Sequence, residues 1–195
     1  MKEKADLGIS LLNKKRFPEA IISIDTYRSV VAQQAVATGA AIVNDISSGS
    51  LDAKMLGTIG ALGGVPYIAM HMQGKPQNMQ DNPSYDNLLV AIRSFFAAKI
   101  DDAHKAGIHD VIIDPGFGFG KTLDHNYSLL KNLSSMQMDG IPMMIGLSRK
   151  SMIHKYLKID VSDALNGTTV LNTIALKQGA QILRVHDVKE AQQAI

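Results

Sequence analysis

Short apolar runs rich in isoleucine and valine recur along the chain, with helix-length amphipathic stretches between them. That alternation is the pattern of strand and helix in turn, with strands apolar enough to pair in a buried parallel sheet rather than lie on a surface. Strands are expected at 21–24, 41–43, 66–69, 111–113, 142–145 and 181–183. Helices are expected at 28–38, 53–62, 85–105, 125–132, 162–177 and 188–195. Gly39, Gly107 and Gly179 stand where left-handed caps would end three of them. An amphipathic segment over 5–12 leads into the first strand.

Each expected strand is followed by polar residues: Asp25-Thr26-Tyr27, Asn44-Asp45, Met70-His71-Met72, Asp114, Ser148-Arg149-Lys150 and Arg184-Val185-His186. In a (β/α)8 barrel such groups converge at the carboxyl ends of the strands, whereas an open doubly wound sheet gathers them mainly at one crevice. The expected fold class is therefore α/β of the (β/α)8 TIM-barrel type. About six of its eight strand-helix units are present, with the shortfall at the N-terminus. Neither repeats nor a linker divide residues 1–195, so one domain is expected.

Composition narrows the function classes. The chain has 195 residues, 46% of them hydrophobic, and a net charge of +2. Basic residues form no long run, which argues against a nucleic-acid or membrane surface. Cysteine is absent, excluding disulfides and thiolate metal sites. The first residues lack a signal-peptide core and no stretch is apolar enough to span a bilayer, so a cytoplasmic protein is expected.

The segment Asp114-Pro115-Gly116-Phe117-Gly118-Phe119-Gly120-Lys121 follows an apolar run and places a carboxylate and several glycines beyond a strand end. It is not a P-loop: that motif needs four residues before its Gly-Lys-Thr, and Pro115 occupies the place of its first glycine. A dinucleotide fingerprint fails too, because Lys121 stands where its third glycine belongs. The plainer alternative is a connecting loop whose aspartate caps a helix. Asp25, Asn44 and Asp114 offer acceptors and one amide, a set suited to the amino-pyrimidinone edge of a planar heterocycle, or else a structural network between strand ends. Asp45 reads as helix capping or support for its neighbour. Ser148, Arg149, Lys150, Arg184 and His186 bring donors and cations fit for an anion; Arg184 can fork onto it or lie flat on a ring. His71, His104, His109, His125 and His154 lack metal-ligand spacing, so no resident metal is expected. Met70, Met72, Met143 and Met144 read as core fillers, with Met70 able to touch a flat ligand. No serine, histidine and acid arrangement reads as a hydrolytic triad.

At these residues the chain resembles the dihydropteroate synthase family. The matching stretches are Ser23-Ile24-Asp25-Thr26-Tyr27, Val43-Asn44-Asp45-Ile46-Ser47, Met70-His71-Met72-Gln73-Gly74, residues 114–121, Ser148-Arg149-Lys150-Ser151 and Arg184-Val185-His186-Asp187. The resemblance implies a (β/α)8 barrel, usually homodimeric, that joins 4-aminobenzoate to a dihydropterin diphosphate in folate synthesis and is the target of sulfonamides. It implies that Asp25, Asn44, Asp114 and Lys150 hydrogen-bond the pterin, with Met70 beside it. Arg184 would stack on the pterin and hold the diphosphate with His186, while Phe119, Gly118, Ser148 and Lys150 border the aminobenzoate. Lys150, Arg184 and His186 are thus the implied catalytic groups, and Mg2+ the implied cofactor, carried on the diphosphate. The family's Asn-Val-Thr-Pro-Asp-Ser-Phe and Ser-Thr-Arg-Pro loops, on two strands ahead of the equivalent of Asp25, do not occur here. The expectation is accordingly a truncated or split synthase, which self-associates as a homodimer or along open barrel edges. The alternatives are a pterin-binding module without turnover and a pterin-dependent methyltransferase. Ser148-Arg149-Lys150 and Arg184-Val185-His186 argue against the methyltransferase.

Overall fold

A computed structural model describes residues 16–195; the amphipathic segment 5–12 lies outside them. Six strands alternate with helices: β1 (Ser23–Asp25), β2 (Ile42–Asp45), β3 (Tyr67–Met70), β4 (Val111–Asp114), β5 (Met144–Ile145) and β6 (Ile182–Leu183). The helices are α1 (Ser29–Ala37), α2 (Met55–Leu62), α3 (Leu88–Lys105), α4 (Leu123–Lys131), α5 (Ser151–Leu157), α6 (Leu165–Lys177) and α7 (Val188–Gln192). The chain forms two compact units. The first takes the described part of Met1–Met70 with Phe96–Ile112, and the second His71–Phe95 with Ile113–Ile195.

In the first unit β1, β2 and β3 pair in parallel, with Asp25 opposite Asn44 and Val43 opposite Tyr67. The Tyr67 amide, donating to Asp110 O at 2.8 Å, sets the entry of β4, and the sheet order is β1-β2-β3-β4. Because side chains alternate across a strand, this register sorts the residues onto two faces. Ile24, Val43, Tyr67 and Ala69 share one face, where they pack with Ala32, Ala35, Met55, Ile59 and Ala103 as a continuous apolar core. Asp25, Asn44, Ile68 and Met70 fall on the other.

The turn after β2 is built around Asp45. Fully buried, its carboxylate accepts the Ser47 amide and hydroxyl, the Gly49 amide and the Tyr67 hydroxyl, all at 2.7–2.8 Å. Asp45 therefore ties a loop to a strand rather than capping a helix. Helix α1 takes its cap from afar instead, Asp52 accepting the Ser29 amide at 2.7 Å.

In the second unit β5 and β6 pair in parallel, and the Ile113 amide donates to Pro142 O at 2.9 Å. Two expectations need correction. Helix α5 was not foreseen, since its apolar residues Met152, Ile153, Tyr156 and Leu157 span less than two turns, too short a run to repeat. Nor are all the strands buried: β1 exposes both its ends and Ile182 of β6 is 36% exposed. Each of those strands has a partner on one side only among the described residues. The three glycine caps are in place, with φ of 105° at Gly39, 88° at Gly107 and 97° at Gly179. No helix of the described residues is long and apolar enough to cross a membrane.

Removing the Tyr67 hydroxyl leaves a buried carboxylate one donor short. Tyr67→Phe is expected to lower unfolding free energy by about 1–3 kcal/mol in urea denaturation; an unchanged midpoint would show that the Asp45 turn does not need it.

Candidate functional site

In the first unit Asn44 is 3% exposed, and its side-chain oxygen has no hydrogen-bond partner among the described residues. A buried amide oxygen without a donor costs free energy that a bound donor would recover. Asp25, in register with Asn44, is exposed rather than buried, because β1 has no neighbour beyond it among the described residues. Met70 is wholly buried at the end of β3, and its carbonyl accepts the Ser48 hydroxyl at 2.9 Å.

The second unit holds the remaining candidates. Asp114 ends β4 at 1% exposure and accepts the Gly116 amide at 2.8 Å, folding the chain back into the glycine loop. Arg184 Nη2 stands 3.9 Å from Asp114 Oδ2, an ion contact beyond hydrogen-bond length. Gly146, just past β5, makes room for that guanidinium: a Cβ there would come within 3.2 Å of Arg184 Nε and Nη2.

Loop 116–120 has no repetitive structure; the Phe119 amide closes its turn onto Gly116 O at 3.1 Å, and each of its carbonyls also meets a side chain. Lys150 Nζ donates to Phe117 O, Gln80 Nε2 to Gly118 O, and Tyr85 OH to Gly120 O at 2.8 Å, while the Gly118 amide donates to Asn126 Oδ1 at 2.7 Å. Gly120 is required by close approach, since a Cβ would meet Gln73 O at 2.6 Å. Phe119 is half-buried, and the Lys150 ammonium lies 5.0 Å from its ring centre, a cation–π contact. Burial lowers the Lys150 pKa to about 8; Asp114 opposes the shift and Arg184 adds to it.

Two cations that sequence reading grouped together part company. Lys150 serves the loop and the Phe119 ring, whereas Arg149 is committed to structure. Held at φ 53°, Arg149 forks onto Asp187 at 2.9 and 3.0 Å and donates to the carbonyls of Val161 and Ser162. Its amide donates to the buried Thr168 hydroxyl. Ser148 holds His186, its hydroxyl lying 3.2 Å from the His186 amide and 3.0 Å from Nδ1. The exposed His186 ring is thereby oriented at the end of β6.

Sequence reading missed Lys121 and His71. Lys121 is 3% exposed, and its ammonium donates to Gly116 O at 3.0 Å and Phe119 O at 3.1 Å, with His71 Nδ1 at 2.9 Å. Burial lowers its pKa to about 7, Asp114 opposing and Lys150 adding. His71 packs edge-on against Phe95, and burial, with the Lys121 charge, lowers its pKa to about 3. The imidazole is thus neutral and accepts at Nδ1. The only signal was local: a lysine closing a glycine run is either a phosphate ligand or a loop tie, and here it faces carbonyls.

The comparisons with known proteins point one way. The family model described as "Pterin binding enzyme" matches residues 8–186. The dihydropteroate synthase of Escherichia coli K12 is 42% identical over 183 residues, which are 91% of this chain and 63% of that protein. Among solved structures, a Yersinia pestis dihydropteroate synthase with a sulfonamide drug complex is 39% identical with a TM-score of 0.93, covering 97% of this chain and 69% of that one. A Thermus thermophilus dihydropteroate synthase in complex with 6HMPPP is 32% identical with a TM-score of 0.90, covering 96% and 74%. These likenesses put the fold in the α/β class of the (β/α)8 type. The chain spans about 63% of the length of the E. coli relative.

His71 gives a pH test. An unfolded histidine binds its proton near pH 6.5, but the folded one holds off until about 3. Between those values the unfolded state binds more protons, so this contribution to stability is fully present above pH 6.5 and lost as pH falls toward 3. His71→Asn keeps an acceptor without the titration. It is expected to remove up to about 1.4 kcal/mol per pH unit from the slope over that window, read from denaturant midpoints at several pH values; parallel curves for both proteins would exclude the effect.

Proposed function

The chain belongs to the family of pterin-binding enzymes, and from that membership we propose that it serves dihydropteroate synthesis. In this reading it is a transferase of folate synthesis that condenses 7,8-dihydropterin-6-ylmethyl diphosphate with 4-aminobenzoate, giving dihydropteroate and pyrophosphate. The pterin methylene–oxygen bond breaks, pyrophosphate leaves with its electron pair, and the arylamine nitrogen bonds to the cation-like methylene and loses a proton. Such chemistry asks for positioning and charge stabilisation more than for a strong base.

The observation that carries the reading is the unpartnered, buried oxygen of Asn44 at a strand end in a chain of this family. In the first unit, Asn44 and Asp25 would meet the pterin's hydrogen-bonding edge and Met70 its apolar surface. In the second, Asp114 and Lys150 would hydrogen-bond the pterin. Arg184, given room by Gly146, would stack and hold the diphosphate together with His186. Gly118, Phe119, Ser148 and Lys150 would border the 4-aminobenzoate. Among the described residues no group of three or more His, Asp or Glu side chains could hold a metal. Magnesium in this reading arrives as part of the diphosphate substrate. A cytoplasmic setting and self-association, as a homodimer or along open strand edges, belong to the same proposal.

A second reading, pterin binding without turnover, is favoured by β1, which has a partner on one side only among the described residues. One experiment separates the two. The purified chain is incubated with the dihydropterin diphosphate, magnesium and labelled 4-aminobenzoate while pterin binding is followed by calorimetry. Product above background is the expected result; binding without product would favour the second reading, and neither would leave shared ancestry alone. Asp114→Asn is expected to weaken pterin binding by about 1–3 kcal/mol through a mismatched buried hydrogen bond, and unchanged affinity would remove Asp114 from the site.

A further inference from the structure

Every carbonyl of loop 116–120 is matched to a donor, but one side chain accounts for two of them. Lys121 reaches the carbonyls of Gly116 and Phe119, the two ends of the turn that carries Phe117 and Gly118. The same ammonium contacts His71 Nδ1, and its distance to His71 O is 3.5 Å. His71 is fixed in turn by Phe95, edge-on with ring centres 4.9 Å apart, and its amide donates to Asp114 O at 2.9 Å. One buried cation therefore ties the segment after β3 to the segment after β4.

A buried ammonium is costly unless its hydrogen bonds are met, and an apolar side chain of similar length would avoid that cost. The Phe119 amide closes the turn onto Gly116 O at 3.1 Å; what the lysine adds, and an apolar residue cannot, is a tie from both ends of that turn to His71. That tie sets where the Phe119 ring stands and where Phe117 O receives Lys150.

We propose that Lys121 is a positioning residue for the arylamine side of the site, pinning loop 116–120 through the Gly116 and Phe119 carbonyls against His71 so that Phe119 and Lys150 keep their geometry. The proposal rests on the dihydropteroate synthase reading for its ligand, but not for the pin itself. The groups facing the Lys121 ammonium are His71 after β3, Asp114 on β4 and Lys150 at the start of α5, with Tyr85 beside the His71 ring. Loss of the Lys121 proton as pH rises through about 7 removes the charge from its hydrogen bonds and weakens them.

The test uses the full chain and Lys121→Met. Backbone hydrogen exchange in loop 116–120 is expected to speed up by about tenfold or more, with exchange in α6 unchanged. By calorimetry, 4-aminobenzoate affinity in the presence of a pterin and pyrophosphate is expected to fall by about tenfold, while affinity for the pterin alone changes by less than about threefold. An unchanged loop overturns the proposal, and so does a loosened loop with unaltered aminobenzoate affinity. If the unmutated chain binds neither ligand, the synthase reading fails, and loop exchange alone decides whether the pin exists. Should Lys121→Met not fold, Lys121→Gln, which keeps a donor on a shorter stem, supplies the measurement: loop exchange should rise relative to α6. An unchanged ratio overturns the pin.

Discussion

The structure depends on one constraint: backbone amides and carbonyls buried in non-repetitive chain must find partners, and those that no strand, helix or turn supplies go to side chains. The two most informative loops meet it with charged groups of opposite sign. After β2, the Asp45 carboxylate collects two amides and two hydroxyls. After β4, the Lys121 ammonium takes two carbonyls. An anion gathers donors and a cation gathers acceptors, and each fixes a turn that its own sequence would leave with many conformations. Hydrogen bonds to a charged group are shorter and stronger than neutral ones, so one carboxylate or one ammonium can hold several partners at once.

This division explains why the cations of the second unit are not interchangeable. Arg149 spends its planar fork on Asp187 and on two carbonyls, a geometry that a lysine could not reproduce. Lys150, with a compact charge on a flexible stem, meets both a carbonyl and the face of Phe119. Arg184 lies against Gly146, where any side chain would crowd it. Lys121 is turned wholly inward. Lys150 and Arg184 are half-buried, partly desolvated yet reachable.

Much of this was legible in the sequence. The six strands and the helices between them followed from apolar runs and spacing, with boundaries within a few residues, because burial on both faces leaves a strong compositional trace. The strand-end positions of Asn44, Asp114, Ser148, Lys150, Arg184 and His186 were legible for the same reason. Helix α5 escaped because seven residues are too few for its apolar spacing to repeat. The exposure of Asp25 escaped because whether a strand has a neighbour on each side is a property of pairing, not of its own residues. The division into two compact units also lay beyond composition, since each is assembled from segments distant in the chain.

By itself, then, the sequence determined the order of strand and helix, the polar residues that end each strand, and through its motifs the family. Tertiary structure decided which charged residue does which work. Lys121, Arg149, Lys150 and Arg184 all lie near strand ends in the sequence and carry the same charge. They part because one faces carbonyls, one a carboxylate, one an aromatic ring and one a glycine backbone. The fate of a charge is set by the partners that remove it from water, and those partners come from residues up to fifty positions away.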